Sequence, residues 1–356
     1  MNLDSIRDRI DALDRSILEL LNERASLALE IGEIKKNANA AYYVPEREKK
    51  IFDALRKLNP GPLPDDAVMA IFREVISAVR ALEKPLDIAY LGPKDTFSHL
   101  AALRMFGSHA NFHPEPTIDD VFTEVERKRV DYGIVPVETS MGGGVPDTLD
   151  RFVHSDLKIL NEVMLHISQN LLSNSAFDDI AKVYSKAQPF VQCRNWLKAN
   201  LPNAELVETS STAEAARVAA GEPGSAAIAS ILAAETYGIS VLIKGIEDAA
   251  HNFTRFFVIG RQMAKPTGED KTSILVAIKD KPGALYELLI PLANAKVNLT
   301  RIESRPSQRR AWEYVFFIDM LGHADDPGIK MALEEVGHQC KELRILGSYP
   351  HGELAE

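Results

Sequence analysis

Apolar residues in the first stretch, Leu3 to Lys36, recur in steps of four and three. Ile6, Ile10, Leu13, Ile17, Leu20, Leu27, Ile31 and Ile34 form the seam, and Arg24 falls within it. That period predicts one long helix with a face held toward a partner. No proline interrupts it, and its glycine, Gly32, lies near the end. A guanidinium in an apolar seam is costly to bury unpaired, so Arg24 either meets an anion or snorkels to water. Lys35 follows Arg24 by eleven residues, about 20° past three full turns. The two cations therefore leave nearly the same face and can converge on one small molecule. Arg7 precedes Arg24 by seventeen residues, which turns it by about 100° and displaces it by about 25 Å. A functional Arg7 would serve a site on a second copy of the chain, so this helix alone points to a homodimer or higher homo-oligomer.

Pro45 sits where a second helix starts, followed by Arg47, Glu48, Ile51, Leu55 and Leu58 at helical spacing. Asn59-Pro-Gly-Pro breaks the chain, and Pro64-Asp-Asp opens a third helix with acids in its first turn. Val68, Phe72, Val75 and Val79 give its apolar stripe, and Glu83 continues the stripe at the next step of four. Two short helices leave the long one underpacked, which again requires a partner.

After Lys84-Pro85 the pattern becomes strand and helix in alternation to about Arg261. Asp87–Gly92 and Tyr132–Glu138 read as strands, with a helix beginning at Thr96. The second strand runs through Thr139-Ser-Met-Gly-Gly-Gly-Val into a helix at Thr148. A strand, a glycine-rich turn and a helix N-terminus can seat a carboxylate or phosphate, and the same sequence is also what a plain turn needs. A second α/β segment starts near Ile167, with a helix over Phe190–Leu201 and a strand at Ala226–Ala229. The chain returns at Asn252–Ile259, so two lobes would hold a substrate between them, with Thr254 and Arg255 at the crossing. From Lys271 the order is strand Ser273–Ile278, helix Gly283–Ala293, strand Asn298–Ser304, strand Trp312–Met320, helix Ile329–Val336 and strand Leu343–Leu346. That βαββαβ order is the ferredoxin-like plan.

At 356 residues the chain should hold several domains. A net charge of −10 argues against nucleic acid or an anionic membrane as partner, and the local pairs Lys35–Lys36 and Arg309–Arg310 do not change that. Cys193 and Cys340 lie far apart without metal-ligand spacing, so free thiols in a reducing compartment are expected. With no apolar leader and no span-length apolar run, the expected location is cytoplasmic.

Gly92-Pro-Lys-Asp-Thr-Phe-Ser, Val135-Pro-Val-Glu-Thr-Ser and Asn252-Phe-Thr-Arg-Phe resemble the signatures of prephenate dehydratases. Pro282-Gly-Ala-Leu and Glu303-Ser-Arg-Pro resemble the phenylalanine-binding motifs of ACT domains. The first segment resembles the all-helical chorismate mutases. Over nearly its whole length the chain thus resembles the bifunctional chorismate mutase–prephenate dehydratase family. The resemblance implies a multidomain protein: an all-α mutase domain over 1–84, a two-lobed α/β, periplasmic-binding-protein-like dehydratase domain over 85–264, and an α+β ferredoxin-like ACT domain over 271–350.

It also implies phenylalanine biosynthesis: chorismate is rearranged to prephenate, which loses CO2 and water to give phenylpyruvate, with L-phenylalanine as feedback inhibitor. The implied mutase residues are Arg7 from the partner, Arg24, Lys35, Arg47, Glu48 and Glu83. A pericyclic step needs no cofactor and no metal, only a folded substrate and charge stabilisation at the ether oxygen. Lys35 would donate to that oxygen and Glu48 would accept from the substrate hydroxyl. For the dehydratase the implied catalytic residue is Thr254, either relaying a proton or positioning the leaving hydroxyl. Arg255 would meet a carboxylate, with Thr96, Ser98, Glu138, Thr139, Ser140, Asn252 and Phe256 around the substrate. Gly283, Ala284, Leu285, Glu303, Ser304, Arg305 and Pro306 would hold the effector.

Five positions depart from the family pattern. Val44 stands where some members have an acid, Val79 where some have serine, Asp95 where glycine is frequent, and Thr139 where asparagine is frequent. Glu83 replaces a glutamine, and a carboxyl must hold a proton to donate at the ether oxygen. Two other readings fit parts of the chain: a two-lobed small-molecule binding protein, and a dehydratase whose helical segment is a dimerisation arm. Arg24 in the seam argues against a mere arm, which would carry Leu or Ile there.

Overall fold

The computed structural model describes residues 2–38, 40–140, 142–249, 251–278, 281–306, 314–352 and 354–355. Met141, the Arg309–Arg310 pair and the strand start expected at Trp312 lie outside them. The chain divides into two units, Met1–Asp87 with Phe106–Asn111 and Ile88–Met105 with Phe112–Glu356.

The first unit holds α1 (Leu3–Ala38), α2 (Pro45–Leu58) and α3 (Asp65–Glu83). Gly32 is the buried residue of α1. A Cβ there would meet Glu83 Cβ at 3.2 Å, so glycine lets the end of α1 approach the end of α3. The rest of the seam faces outward, with Ile10, Leu13, Ile17 and Leu20 at least half exposed. On α3 the buried face runs through Met69, Ile76, Val79 and Arg80. The expected stripe of Val68, Phe72 and Val75 is only partly buried. The helix is turned by roughly one residue, about 100°, because it packs on Tyr43 and Phe106 through Arg80.

The second pattern opens with β1 (Asp87–Leu91), α4 (Phe97–Phe106), β2 (Asn111–Glu115), α5 (Ile118–Glu126), β3 (Tyr132–Thr139), β4 (Gly143–Gly144), α6 (Pro146–His154) and β5 (Lys158–His166). The chain crosses to β6 (Asn170–Leu172), β7 (Lys182–Ser185), α7 (Ala187–Gln192), α8 (Arg194–Asn200), β8 (Glu205–Glu208), α9 (Thr212–Gly221), β9 (Ser225–Ala229), α10 (Ile231–Tyr237) and β10 (Val241–Ile243). Hydroxyls cap the helices where the sequence offers them: Thr117 accepts from Asp120 N–H, Ser211 from Glu214 N–H and Ser230 from Ala233 N–H. The helix expected over Phe190–Leu201 is two helices. Asp248 receives the N–H groups of Asn195 and Trp196 at 2.8 and 3.0 Å, starting α8 afresh after Cys193.

The chain returns as β11 (Phe253–Gly260) and continues through β12 (Asp270–Ala277), α11 (Ala284–Asn294), β13 (Leu299–Pro306), β14 (Tyr314–Leu321), α12 (Pro327–Gln339), β15 (Glu342–Pro350) and β16 (Leu354–Ala355). The first-lobe sheet has order β16-β5-β11-β3-β1-β2, and the second-lobe sheet β10-β6-β9-β7-β8. Strand β11, made after the second lobe, lies between β3 and β5 and antiparallel to both. The last four-stranded sheet is antiparallel with order β13-β14-β12-β15, the ferredoxin-like arrangement.

Both faces of that last sheet are covered. Ile274, Val276, Ile318 and Met320 pack with Leu288, Leu292, Leu333 and Val336 of α11 and α12. Leu275, Phe317, Leu346 and Tyr349 join Val135, Phe152, Ile159 and Phe257 of the first lobe in one core. The strands are longer than expected: β12 begins at Asp270 and β15 reaches Pro350. Their added residues Asp270, Lys271, Thr272 and Ser348 are polar yet buried, so hydrophobic periodicity could not announce them. At Gly347 a Cβ would lie 2.2 Å from the Ile159 carbonyl oxygen, so the two sheets touch backbone to backbone there.

Candidate active sites

In the helical unit the end of α1, the first turn of α2 and the end of α3 meet. Lys35 Nζ is 3.0 Å from Glu83 Oε2 and 3.4 Å from the Tyr42 carbonyl, over the Tyr42 ring. Glu48 accepts a short bond from Arg80 Nη1, whose Nη2 donates to the Phe106 carbonyl at 2.8 Å. Burial pushes the Glu48 carboxyl up, while Arg80, Arg73 and Lys35 pull it down. Lys35, Glu48 and Glu83 are therefore brought together.

The other three expected residues are not. Arg24 is partly buried and has no ion pair among the described residues, and Arg47 is exposed. Arg7 is exposed beside Asp4 at 3.6 Å, and 28 helical residues put it about 42 Å from Lys35. Sequence reasoning passed over Arg80. Its signal was the three-residue step to Glu83 on the same helix, which puts both on one face. The departures at Val44 and Val79 are apolar in context: Val44 precedes α2 without a side-chain cap, and Val79 is buried.

In the second unit the pairing of β11 sets Thr254 opposite Thr139 on one side and Leu165 on the other. The next pair sets Arg255 opposite Glu138. Thr139 Oγ1 accepts from Gly142 N–H at 2.9 Å, which closes the glycine-rich turn. Ser140 and Asn252 fasten the two crossings between lobes. Ser140 Oγ donates to the His251 carbonyl at 2.9 Å and accepts from Phe253 N–H at 3.0 Å. Asn252 Nδ2 donates to the Ile167 carbonyl at 3.1 Å, and Gln192 Nε2 donates to its Oδ1 at 3.3 Å.

Thr96 Oγ1 donates to the Pro93 carbonyl at 3.0 Å, ordering the turn before α4, and Ser98 is buried on the first turn of that helix. Asp95 adopts φ 68, the left-handed region that glycine reaches without a steric cost. Its N–H donates to His99 Nδ1 at 3.2 Å, and its carbonyl accepts from Ser230 Oγ of the second lobe at 3.1 Å. Phe256 is buried in the strand.

Arg255 has a different setting from the one expected of a carboxylate ligand. It is buried, and its Nε donates to Glu162 Oε2 at 2.6 Å. Its Nη1 donates to Asp319, and its Nη2 donates to Tyr349 Oη at 3.0 Å. Glu138 Oε2 stands further off, 3.6 Å from Arg255 and 3.7 Å from Arg301.

The expected effector residues fall into two groups. Gly283, at φ 80, precedes α11, which begins with Ala284 and Leu285. On β13, Glu303 pairs with Arg301, and its carboxylate lies against Gly144 of the glycine-rich turn. Arg305 Nη2 clamps both carboxylate oxygens of Asp150 on α6 at 2.8 Å. Ser304 and Pro306 alternate to the exposed face. No hydrogen bond or ion pair among the described residues joins the two groups.

Family models match in the same order along the chain: chorismate mutase type II over residues 6–84, prephenate dehydratase over 88–264 and ACT domain over 272–338. A bifunctional chorismate mutase/prephenate dehydratase of Aquifex aeolicus is 48% identical over 359 residues, 99% of each chain. One of Pseudomonas aeruginosa is 46% identical, covering 99% of this chain and 98% of its own. Among solved structures, a prephenate dehydratase of Arthrobacter aurescens in complex with L-Phe has TM-score 0.71 and 33% identity, covering 76% of this chain and 92% of its own.

Proposed function

The chain belongs to the bifunctional chorismate mutase/prephenate dehydratase family, and from that premise we propose how its residues divide the two reactions. The helical segment, 1–84, is the mutase; 85–264 is the dehydratase; 271–350 is the regulatory ACT domain. In the mutase, Arg24, Arg47 and the partner subunit's Arg7 clamp the two carboxylates of chorismate, which selects the folded conformer. Lys35 donates to the ether oxygen as negative charge develops there, and Glu83 lies beside it. Glu48, held by Arg80, accepts from the substrate hydroxyl.

In the dehydratase, Thr254 acts at the leaving hydroxyl while the ring carboxylate departs as CO2. Aromatisation drives the step, so the protein orients prephenate and delivers one proton. Thr139, Ser140, Asn252 and Phe256, with Thr96 and Ser98 from the start of α4, shape the site around Thr254, whereas Glu138 pairs with Arg255 on the opposite face of the sheet. L-phenylalanine occupies the ACT domain between the Gly283–Leu285 helix start and the Glu303–Pro306 strand, its carboxylate on the free N–H groups of α11. The Arthrobacter relative in complex with L-Phe supports that choice of effector.

The observation that carries the reading is the pairing of Thr254 with Thr139 at the point where the chain crosses between lobes. Purified full-length protein, given chorismate without added metal or nucleotide, should form phenylpyruvate. Thr254→Ala should stop at prephenate, and Arg24→Ala should leave chorismate unconverted yet still process added prephenate. If both variants lose the same step, the division of labour is wrong.

A further inference from the structure

Thr254 and Arg255 are consecutive on β11, so strand alternation sends their side chains to opposite faces of the sheet. The face that takes Arg255 meets the last sheet, and there the guanidinium is engaged on all three nitrogens, by Glu162, Asp319 and Tyr349. Glu162 belongs to the dehydratase strand β5. Asp319 and Tyr349 belong to β14 and β15 of the ACT sheet. Lys271 of β12 completes the group, its Nζ 2.9 Å from Glu162 Oε1. Two cations and two carboxylates are thus buried together with no net charge, and removing any one charged member leaves the buried group with a net charge.

The hydrogens have one consistent arrangement. Asp319 Oδ1 accepts from Ser273 Oγ at 2.6 Å, which uses the only proton of Ser273. The 2.6 Å contact between Ser273 Oγ and Tyr349 Oη must then be donated by tyrosine. Tyr349 Oη in turn accepts from Arg255 Nη2. Burial, with Asp319 adding, keeps the phenol protonated far above its ordinary range. The hydroxyl of Tyr349 therefore sits between Arg255 and the Ser273–Asp319 pair, and nothing else in the group can take its place.

We propose that Asp319 and Tyr349 of the ACT sheet are positioning residues of the dehydratase reaction, holding β11 through Arg255 so that Thr254 meets prephenate. The inference rests on Thr254 being the group that acts at the leaving hydroxyl. A sub-ångström shift of β11 changes the approach of Thr254 without emptying the substrate site, so the effect belongs in kcat rather than KM.

Full-length Tyr349→Phe and Asp319→Asn chains are assayed on prephenate and, separately, on chorismate. Dehydratase kcat should fall about tenfold with KM within about twofold, and mutase kcat should be unchanged. In a Thr254→Ala background neither substitution should lower the residual dehydratase rate further, because both act through the residue already removed. Arg344→Ala serves as the interface control: Arg344 bonds the Phe152 and Val153 carbonyls at 3.1 and 2.9 Å and does not touch Arg255. It should lower Tm while keeping dehydratase kcat.

An unchanged kcat in Tyr349→Phe overturns the inference. So does an equal kcat loss in Arg344→Ala, or a further loss on top of Thr254→Ala. If Asp319→Asn does not fold, Tyr349→Phe decides alone. A Thr254→Ala chain with full dehydratase rate would overturn the role of Thr254 itself. Loss there with none in Tyr349→Phe overturns only the positioning role.

Discussion

Asp95 carries a backbone conformation that glycine adopts freely and other residues reach at a cost of about 1 kcal/mol. Its N–H bond to His99 Nδ1 offsets part of that cost. Asp95→Ala keeps the strain and removes the carboxylate, whereas Asp95→Gly removes both. The glycine variant should therefore melt above the alanine variant, by a few degrees for about 1 kcal/mol in a domain of this size. The reverse order in calorimetry would mean that the strain is not felt. His99 adds a second readout. Burial lowers its pKa and Asp95 raises it, so either variant should move the imidazole titration further down, measurable by NMR.

Glu48 gives the matching prediction for the mutase. Burial raises its carboxyl above the ordinary glutamate value, with Arg80 opposing. The ionised form is the stronger acceptor for the substrate hydroxyl, so mutase kcat/KM should fall as pH drops through this raised pKa. The loss should begin at higher pH than an exposed glutamate would give. For stability the sign is opposite: the folded state holds the Glu48 proton more tightly, so this contribution is present at low pH and is lost as pH rises through the folded pKa. Arg80→Ala removes the strongest opposing cation. It should shift the acid limb of the mutase upward and cost about 3 kcal/mol, because a buried carboxylate is left unpaired. An unmoved acid limb would detach Glu48 from the rate. Glu83→Gln completes the set: it removes the ion pair with Lys35 and supplies an N–H that donates at any pH. Mutase activity at alkaline pH should rise relative to wild type, with the dehydratase unaffected.

Among elements, α1 decides what the mutase is. Its seam leaves Leu13, Ile17 and Leu20 at 63%, 54% and 64% exposure, which a helix of 36 residues would not sustain alone. On the proposed shared-site reading, a second copy laid along the seam would cover it and bring the partner subunit's Arg7 toward Arg24 and Lys35. Arg7→Ala and Arg24→Ala chains should each lack mutase activity, and mixed dimers should recover it, since one of their two sites keeps both arginines. No recovery in confirmed mixed dimers would end the shared-site reading.

This helix was fully legible in sequence because its period is long and unbroken. The turn of α3 was not, because what sets it is a charged residue, Arg80, buried between the Tyr43 and Phe106 rings. Likewise the motif around Thr254 was readable, whereas the setting of Arg255 depends on Asp319 and Tyr349, 64 and 94 residues further along. Local pattern cannot report such pairings.

At the scale of the whole molecule, the expected effector strand reaches the dehydratase directly. Arg305 clamps Asp150 on α6, and Glu303 lies against the glycine-rich turn beside Gly144. Binding L-phenylalanine inhibits only if the ligand prefers a less active arrangement of these parts. Gly283→Val, at a backbone angle that valine does not tolerate, should weaken inhibition by L-phenylalanine in a dehydratase assay. Glu303→Ala should weaken it too, and should also change the uninhibited rate, since it frees Arg301 beside Glu138. Equal inhibition in both variants would move the effector elsewhere.

The bare backbone of Gly347 against Ile159 bears on how such an enzyme can be re-engineered. The regulatory sheet lends its inner face to the same core as Phe152 and Phe257, so it is not a cap that can be cut away cleanly. Deleting the chain after residue 264 would uncover that face and strand Arg255 and Glu162 at a new surface. A producer strain made insensitive to its end product is therefore better built by single substitutions on β13 or at the start of α11. Grafting a foreign sensor would require a donor sheet with glycine at the Gly347 position, small enough to let two backbones touch.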